Sequence, residues 1–223
     1  AIVTIYVSIG SIIVDTIEAE GTRLTQTGVS LEEADFSPTT GTTTLLHMKV
    51  ENPKGFSAPH AFNFSKIELW IDPETLATDT LHIKSVLLIA PEIIYELSSS
   101  TDNLRTLKSY IQNAPGTPLS GKKLRIDNFY VKNAVVIVKA KDLQGQRKTA
   151  RLSDIHLKDI GKQENGLPPA QAIEQMMVPL LRETTLAALN TDLKLSDQAR
   201  NILNGALDET EKAFEAIKGL LNR

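Results

Sequence analysis

Residues 48–97 constrain this chain more than any other stretch. They read as three apolar runs with a period of two, separated by turn-forming sequence at Asn52-Pro53-Lys54-Gly55, Asp72-Pro73-Glu74-Thr75 and Pro91. Successive side chains of a strand point to opposite faces, so this alternation builds strands with one buried and one wet face. In the clearest run Ile67, Leu69 and Ile71 share one face, while Lys66, Glu68, Trp70 and Asp72 share the other. The next run carries Leu81, Ile83, Leu87 and Ile89, and Val86 and Leu88 make its second half apolar on both faces. Pro91 ends or bulges that strand, because proline has no N–H for a central ladder. Ile93, Tyr95 and Leu97 complete the set. A sheet is expected, and none of its runs carries a reactive group.

The flanks extend the pattern. Upstream, Val29 and Leu31 form one alternating run and Leu46, Met48 and Val50 another, parted by a turn-forming cluster at residues 36–44. Downstream, Asp102 is the expected N-cap of a short helix with Leu104, Leu107 and Ile111 on one face, closed by residues 114–118. Leu124 and Ile126 then begin a hairpin whose second strand, residues 134–138, is apolar on both faces and suits a central or covered position. Residues 143–146 read as a turn. Ala150, Leu152, Ile155 and Leu157 form the last strand, and the parity change between Leu152 and Ile155 predicts a bulge. Pro168 and Pro169 open a helix with Ile173, Met176, Met177, Leu180, Leu181 and Leu189 as its apolar stripe, kinked at Pro179. Ser196 caps a second helix, on which Ile202, Leu203, Phe214, Ile217, Leu220 and Leu221 form an apolar face.

Residues 1–14 hold no charge and are rich in Ile and Val. Two readings compete: a buried strand, favoured by the β-branched content, or the C-terminal part of a transmembrane helix that begins upstream. At about 1.5 Å per residue this run alone is too short for a hydrocarbon layer of roughly 30 Å. The helix is the working expectation, because the run passes directly into helix-forming sequence that ends near Gly21. Asp15, Glu18 and Glu20 precede the first basic residue, Arg23, and a lack of Lys and Arg suits the non-cytoplasmic side of a membrane. The expected class is α+β: a truncated N-terminal membrane helix (1–21), a twisted, mostly antiparallel sheet of about seven to eight strands with one inserted helix (22–162), and two C-terminal amphipathic helices (163–223).

Composition excludes several functions. A net charge of -3 and an aromatic content of 5% supply neither a basic face nor stacking platforms, so no nucleic-acid partner is expected. The absence of cysteine removes disulfides, thiolate metal sites and thiol nucleophiles. His47, His60, His82 and His156 show no i, i+4 metal spacing. No Gly-x-Ser-x-Gly elbow or phosphate loop is present, and Glu32 and Glu33 are strand neighbours that point apart. The chain therefore reads as a non-enzyme, with no catalytic, cofactor-binding or metal residue expected.

The run Asn52-Pro53-Lys54-Gly55-Phe56 with the strand after it, the turn at Asp72-Pro73-Glu74, a second strand and then Ala90-Pro91-Glu92-Ile93-Ile94-Tyr95 resembles small members of the AsmA-like family. The preceding residues 29–53 and the segment 151–162 carry the same likeness, so it spans roughly residues 1–190. The resemblance implies a bacterial inner-membrane protein with one anchor helix and an elongated sheet in the periplasm, concerned with envelope lipids. Its size departs from the larger relatives, since one short sheet does not bridge two membranes. Two roles are expected. In the first, membrane lipid is handled on an apolar groove formed by Ile67, Leu69, Ile71, Leu81, Ile83, Leu87 and Ile89. In the second, the chain is an accessory subunit or self-associates, gripping other membrane subunits through its anchor and the helical face from Ile202 to Leu221. A plain core beneath the C-terminal helices is the simplest use of the same residues.

Overall fold

The computed structural model describes residues 2–116, 121–140, 147–191 and 194–221, with side chains described between residues 9 and 219 of these. The turn expected at 143–146, Pro118, and the side chains of Leu220 and Leu221 lie outside the described residues. The fold is α+β. Helix α1 (Ile2–Thr25) leads into strands β1 (Val29–Ser30), β2 (Glu33–Phe36), β3 (Thr42–Glu51) and β4 (His60–Ile71). A 3₁₀ turn (Pro73–Thr75) precedes β5 (Thr80–Ile89) and β6 (Glu92–Leu97), followed by helix α2 (Asn103–Gln112). Then come β7 (Lys123–Lys132), β8 (Val135–Ala140), β9 (Arg147–Arg151) and β10 (Ile155–Ile160), and the helices α3 (Pro169–Leu189) and α4 (Asp197–Leu221).

Among the described residues ten strands make one mixed sheet. Most pairings are antiparallel, but β5 runs parallel to β7 and β6 parallel to β8. The expected hairpin between residues 124–126 and 134–138 is not formed. Instead β7 and β8 are two legs of one bent strand, because Asn133 (φ 55°) deflects the chain without reversing it. The same description fits β5 with β6, bent at Ala90 (φ 47°), and β9 with β10. It also fits β1 with β2, whose legs pair with opposite ends of β3. The sheet is thus six bent strands, in the order β1/β2, β3, β4, β5/β6, β7/β8, β9/β10.

These bends line up as a crease across the sheet. On every strand the parity that faces the core switches there: Leu31 to Ala34, Leu45 to Met48, Phe64 to Ile67, Leu88 to Ile93, Val131 to Val136, and Leu152 to Ile155. Three strands make the switch with a left-handed residue, His47 (φ 56°), Ala90 and Asn133, which bends the chain without inserting a residue, since the register is the same on both sides of each. Hydrogen bonding continues through the crease, with Ala90 N donating to Lys132 O (2.8 Å), Val135 N to Pro91 O (2.9 Å) and Leu152 N to Ala134 O (3.0 Å). Asp154 braces it, accepting from Asn133 N (3.2 Å) and Lys132 Nζ (2.9 Å). Ala90 is exposed and pays the left-handed penalty of a Cβ. Ala90→Gly is therefore expected to stabilise the protein by about 0.5 kcal/mol, the relieved strain slightly exceeding glycine's extra chain entropy. Urea unfolding checks this; a clear loss of stability would mean the crease does not need a left-handed residue.

Helices α1, α2 and α3 cover one face of the sheet, and α4 packs along α3. The local signals for these helices are the expected ones. Asp102 caps α2 by accepting from Arg105 N (2.8 Å), Pro169 stands at the start of α3, and Ser196 Oγ accepts from Ala199 N (3.2 Å) before α4. α1 runs four residues past Gly21, to Thr25. Among the described side chains, its inner side lies against the domain from Gly10 on. A Cβ on Gly10 would lie 2.6 Å from the Ala34 carbonyl oxygen, so helix and strand touch there, and Ile13, Val14 and Ile17 pack on the core. Residues from Gly10 onward therefore pack on the folded domain. Among the described residues no helix is long and apolar enough to cross a membrane.

Candidate functional site

The creased sheet and its helical cover do not close fully on each other. Between them lies a cavity of about 350 Å³. Its floor is built from cross-strand rows: Ile67 beside Leu88 and Leu45, Leu69 beside Val86, and Ile83 beside Ile126. Phe62, Phe64 and Phe129 extend the floor, with the first two rings stacked at 5.7 Å. Ile17 and Gly21 of α1, Leu107 and Ile111 of α2, and Ile173, Met176, Met177 and Leu180 of α3 form the roof. Apart from Gly21 and Thr25, every lining residue is aliphatic, aromatic or methionine. Gly21 is required by packing, since a Cβ there would meet Val29 Cγ1 at 2.9 Å.

The groove residues read from sequence divide. Ile67, Leu69 and Ile83 line this cavity. Ile71 packs on the same core, and Leu81 lines a smaller neighbouring cavity between α1 and α3. Leu87 and Ile89 face the other way, level with Glu68 and Tyr130 and with Lys66 and Lys132 respectively. Val86 and Leu88 take their places, because a register shift between Trp70 and Ile71 changes the parity of β5 after Ile83. The aromatic floor was not read from sequence, although Phe62 and Phe64 alternate correctly. They sit across the crease from Ile67, on the parity that the 67–71 run assigns to solvent.

A buried polar node holds α2 over the cavity. Asn103, with no exposed surface, donates through Nδ2 to Asn52 Oδ1 and Ile94 O (both 2.7 Å) and accepts from Glu96 N (2.9 Å). Asp102, equally buried, pairs with Arg105 Nε at 2.5 Å. Burial pushes the Asp102 carboxyl above the usual carboxylate range, although hydrogen bonds and charge from Arg105 oppose that shift. Tyr95 lies against it, its hydroxyl 3.3 Å from Thr185 Oγ1, and burial raises its pKa strongly. Burial also opposes ionisation of Glu96. The hydrogen bonds from Ser57 Oγ (2.6 Å), Ser57 N and Ala58 N (both 2.8 Å), with the charge of Lys139, outweigh it and hold that carboxyl below its ordinary value.

The remaining sequence candidates lie elsewhere. Ile202, Leu203 and Ile217 are buried within the chain, so this part of the expected partner face of α4 is already used. Phe214 is half-buried beneath the cations of Arg182 and Lys218. The α4 face is held down by pairs from Arg182 to Glu211 (2.8 Å) and Lys108 to Glu209 (2.7 Å). His82 pairs with Asp127 (2.7 Å), His60 with Glu92 (3.3 Å), and His156 stacks on Tyr130 (4.2 Å). Among the described residues no three His, Asp or Glu side chains converge as metal ligands.

The fold and cavity define an α+β domain with an apolar interior site. Comparison with protein-family models, with curated proteins and with solved structures found no match.

Proposed function

We propose that this chain is the extramembrane domain of a membrane-anchored envelope protein of AsmA-like type, and that it binds the acyl chain of a lipid between its sheet and helices. The observation that carries the reading is the cavity of about 350 Å³ with its apolar lining. Unfilled apolar volume is costly in a protein core, at about 24 cal/mol per Å³. A greasy ligand recovers much of that loss. Scaling from an apolar cavity of about 150 Å³ that takes benzene, this one accommodates a chain of about a dozen carbons.

Two further features support the reading. The resemblance of residues 52–97 to the AsmA-like family agrees with a role in envelope lipid handling. The charge-free start of α1, followed only by acidic charges until Arg23, suits an anchor at a membrane. Ile202, Leu203 and Ile217, which the accessory-subunit reading would need, are occupied within the chain.

The experiment is solvent extraction and mass spectrometry of the purified protein, paired with thermal unfolding in the presence of added saturated amphiphiles. One acyl chain per protein is expected. At a hundred times its Kd a ligand stabilises by about 2.7 kcal/mol, which raises Tm by roughly 5–10 °C in a domain of this size. Leu180→Trp, which fills the cavity, should remove the ligand and most of the shift while leaving a folded protein. A protein free of lipid, with a Tm indifferent to every chain length, sinks the proposal.

A further inference from the structure

We propose that the ligand is a single-chain fatty acid, and that its carboxylate sits at an opening between α1 and the start of α3 with Lys122 as its counter-charge. This rests on the acyl-chain reading above. A second cavity of about 220 Å³ lies at that opening and shares Ile17, Gly21, Leu124 and Ile173 with the larger one, so the two adjoin along one apolar path. The path is polar at one end only. Its outer wall carries Glu20 and Lys122, whereas the larger cavity has no charged lining residue.

The sign of the mouth follows from its ion pairs. Glu20 is neutralised by Arg23, which donates from Nη2 (2.5 Å) and Nε (2.7 Å). Lys122 donates to the carbonyl of Thr78, a neutral acceptor, and among the described residues it makes no ion pair. Among the residues that line the opening, the charge of Lys122 is therefore the one not offset by an ion pair. A compact ammonium on a flexible stem suits a monoanion, and it can leave a backbone carbonyl for a carboxylate at small expense. A headgroup with its own cation gains nothing from Lys122.

Binding of three ligands of equal chain length tests the idea: tetradecanoic acid, tetradecanol and the lysophosphatidylcholine of the same acyl chain. They are measured by displacement of a fluorescent fatty acid from the wild type, Lys122→Ala and Lys122→Arg. The wild type should prefer the acid over the alcohol by roughly fivefold, the range of a partly exposed ion pair. Lys122→Ala should bring the two within about twofold while alcohol binding stays unchanged, and Lys122→Arg should restore the preference. Equal binding of acid and alcohol to the wild type, a preference that survives Lys122→Ala, or tightest binding of the lysolipid overturns the carboxylate site and leaves the acyl cavity standing. Failure of all three to bind removes both.

Discussion

Asp102→Ala is expected to destabilise the protein by about 3–5 kcal/mol, the range seen when one partner of a buried ion pair is removed. The loss has two sources. Arg105 keeps a mostly buried guanidinium without its carboxylate, which it otherwise meets at 2.5 Å. The first turn of α2 also loses the acceptor for Arg105 N, a cap worth about 1 kcal/mol. The consequence reaches the site, because α2 carries Leu107 and Ile111 into the cavity roof. Asp102→Asn keeps a cap acceptor and should cost about 1 kcal/mol less. The pH dependence carries a definite sign. Burial raises the folded-state pKa of Asp102, so its contribution to stability is full below the unfolded value of about 3.9 and declines as pH rises through the folded value. Relative to wild type, Asp102→Asn should therefore look least harmful at neutral pH and most harmful in acid. Urea titrations between pH 3 and 7 measure it, and a flat difference between the two proteins would contradict the buried, raised carboxyl.

Glu96→Ala is the second large effect, expected at about 3 kcal/mol from the loss of charge-assisted hydrogen bonds, each worth roughly 1.5–3 kcal/mol. Three donors from Ser57 and Ala58 converge on this carboxylate and tie the loop after the Asn52-Pro53 turn to β6. Here the sign is reversed. The folded-state pKa is lowered, so the stabilisation is full above the unfolded value of about 4.3 and disappears as pH falls through the folded value. Wild type should lose stability on acidification over that window, and Glu96→Gln, with no charge to titrate, should lose less. A Gln variant whose stability falls with acid as steeply as wild type would show that Glu96 is not the group responsible.

The Asn52-Pro53-Lys54-Gly55 turn has a different weight in the folded protein from that in the sequence. It was legible as a chain reversal, since proline biases Asn52 away from helix. What was not legible is that Asn52 accepts from Asn103 (2.7 Å) and donates to Ala58 O (2.9 Å), coupling the turn to the helix that roofs the cavity. That partner lies fifty-one residues away in the chain, and no local pattern announces it.

The sequence by itself determined the α+β class, the cap at Asp102, the alternation of Ile67, Leu69 and Ile71, the start of α3 at Pro169 and the parity change between Leu152 and Ile155. Each depends on side-chain period or on hydrogen bonds within a few residues, so each is written locally. Tertiary structure alone decided the rest. In residues 85–89 both parities are apolar, and only the register against β4 and β7 turned Val86 and Leu88 inward in place of Leu87 and Ile89. The parallel pairing of β6 with β8, the alignment of the six bends and the cavity they leave beneath the helices have the same origin. They are set by register between distant strands, where a shift of one residue exchanges the faces of a whole strand.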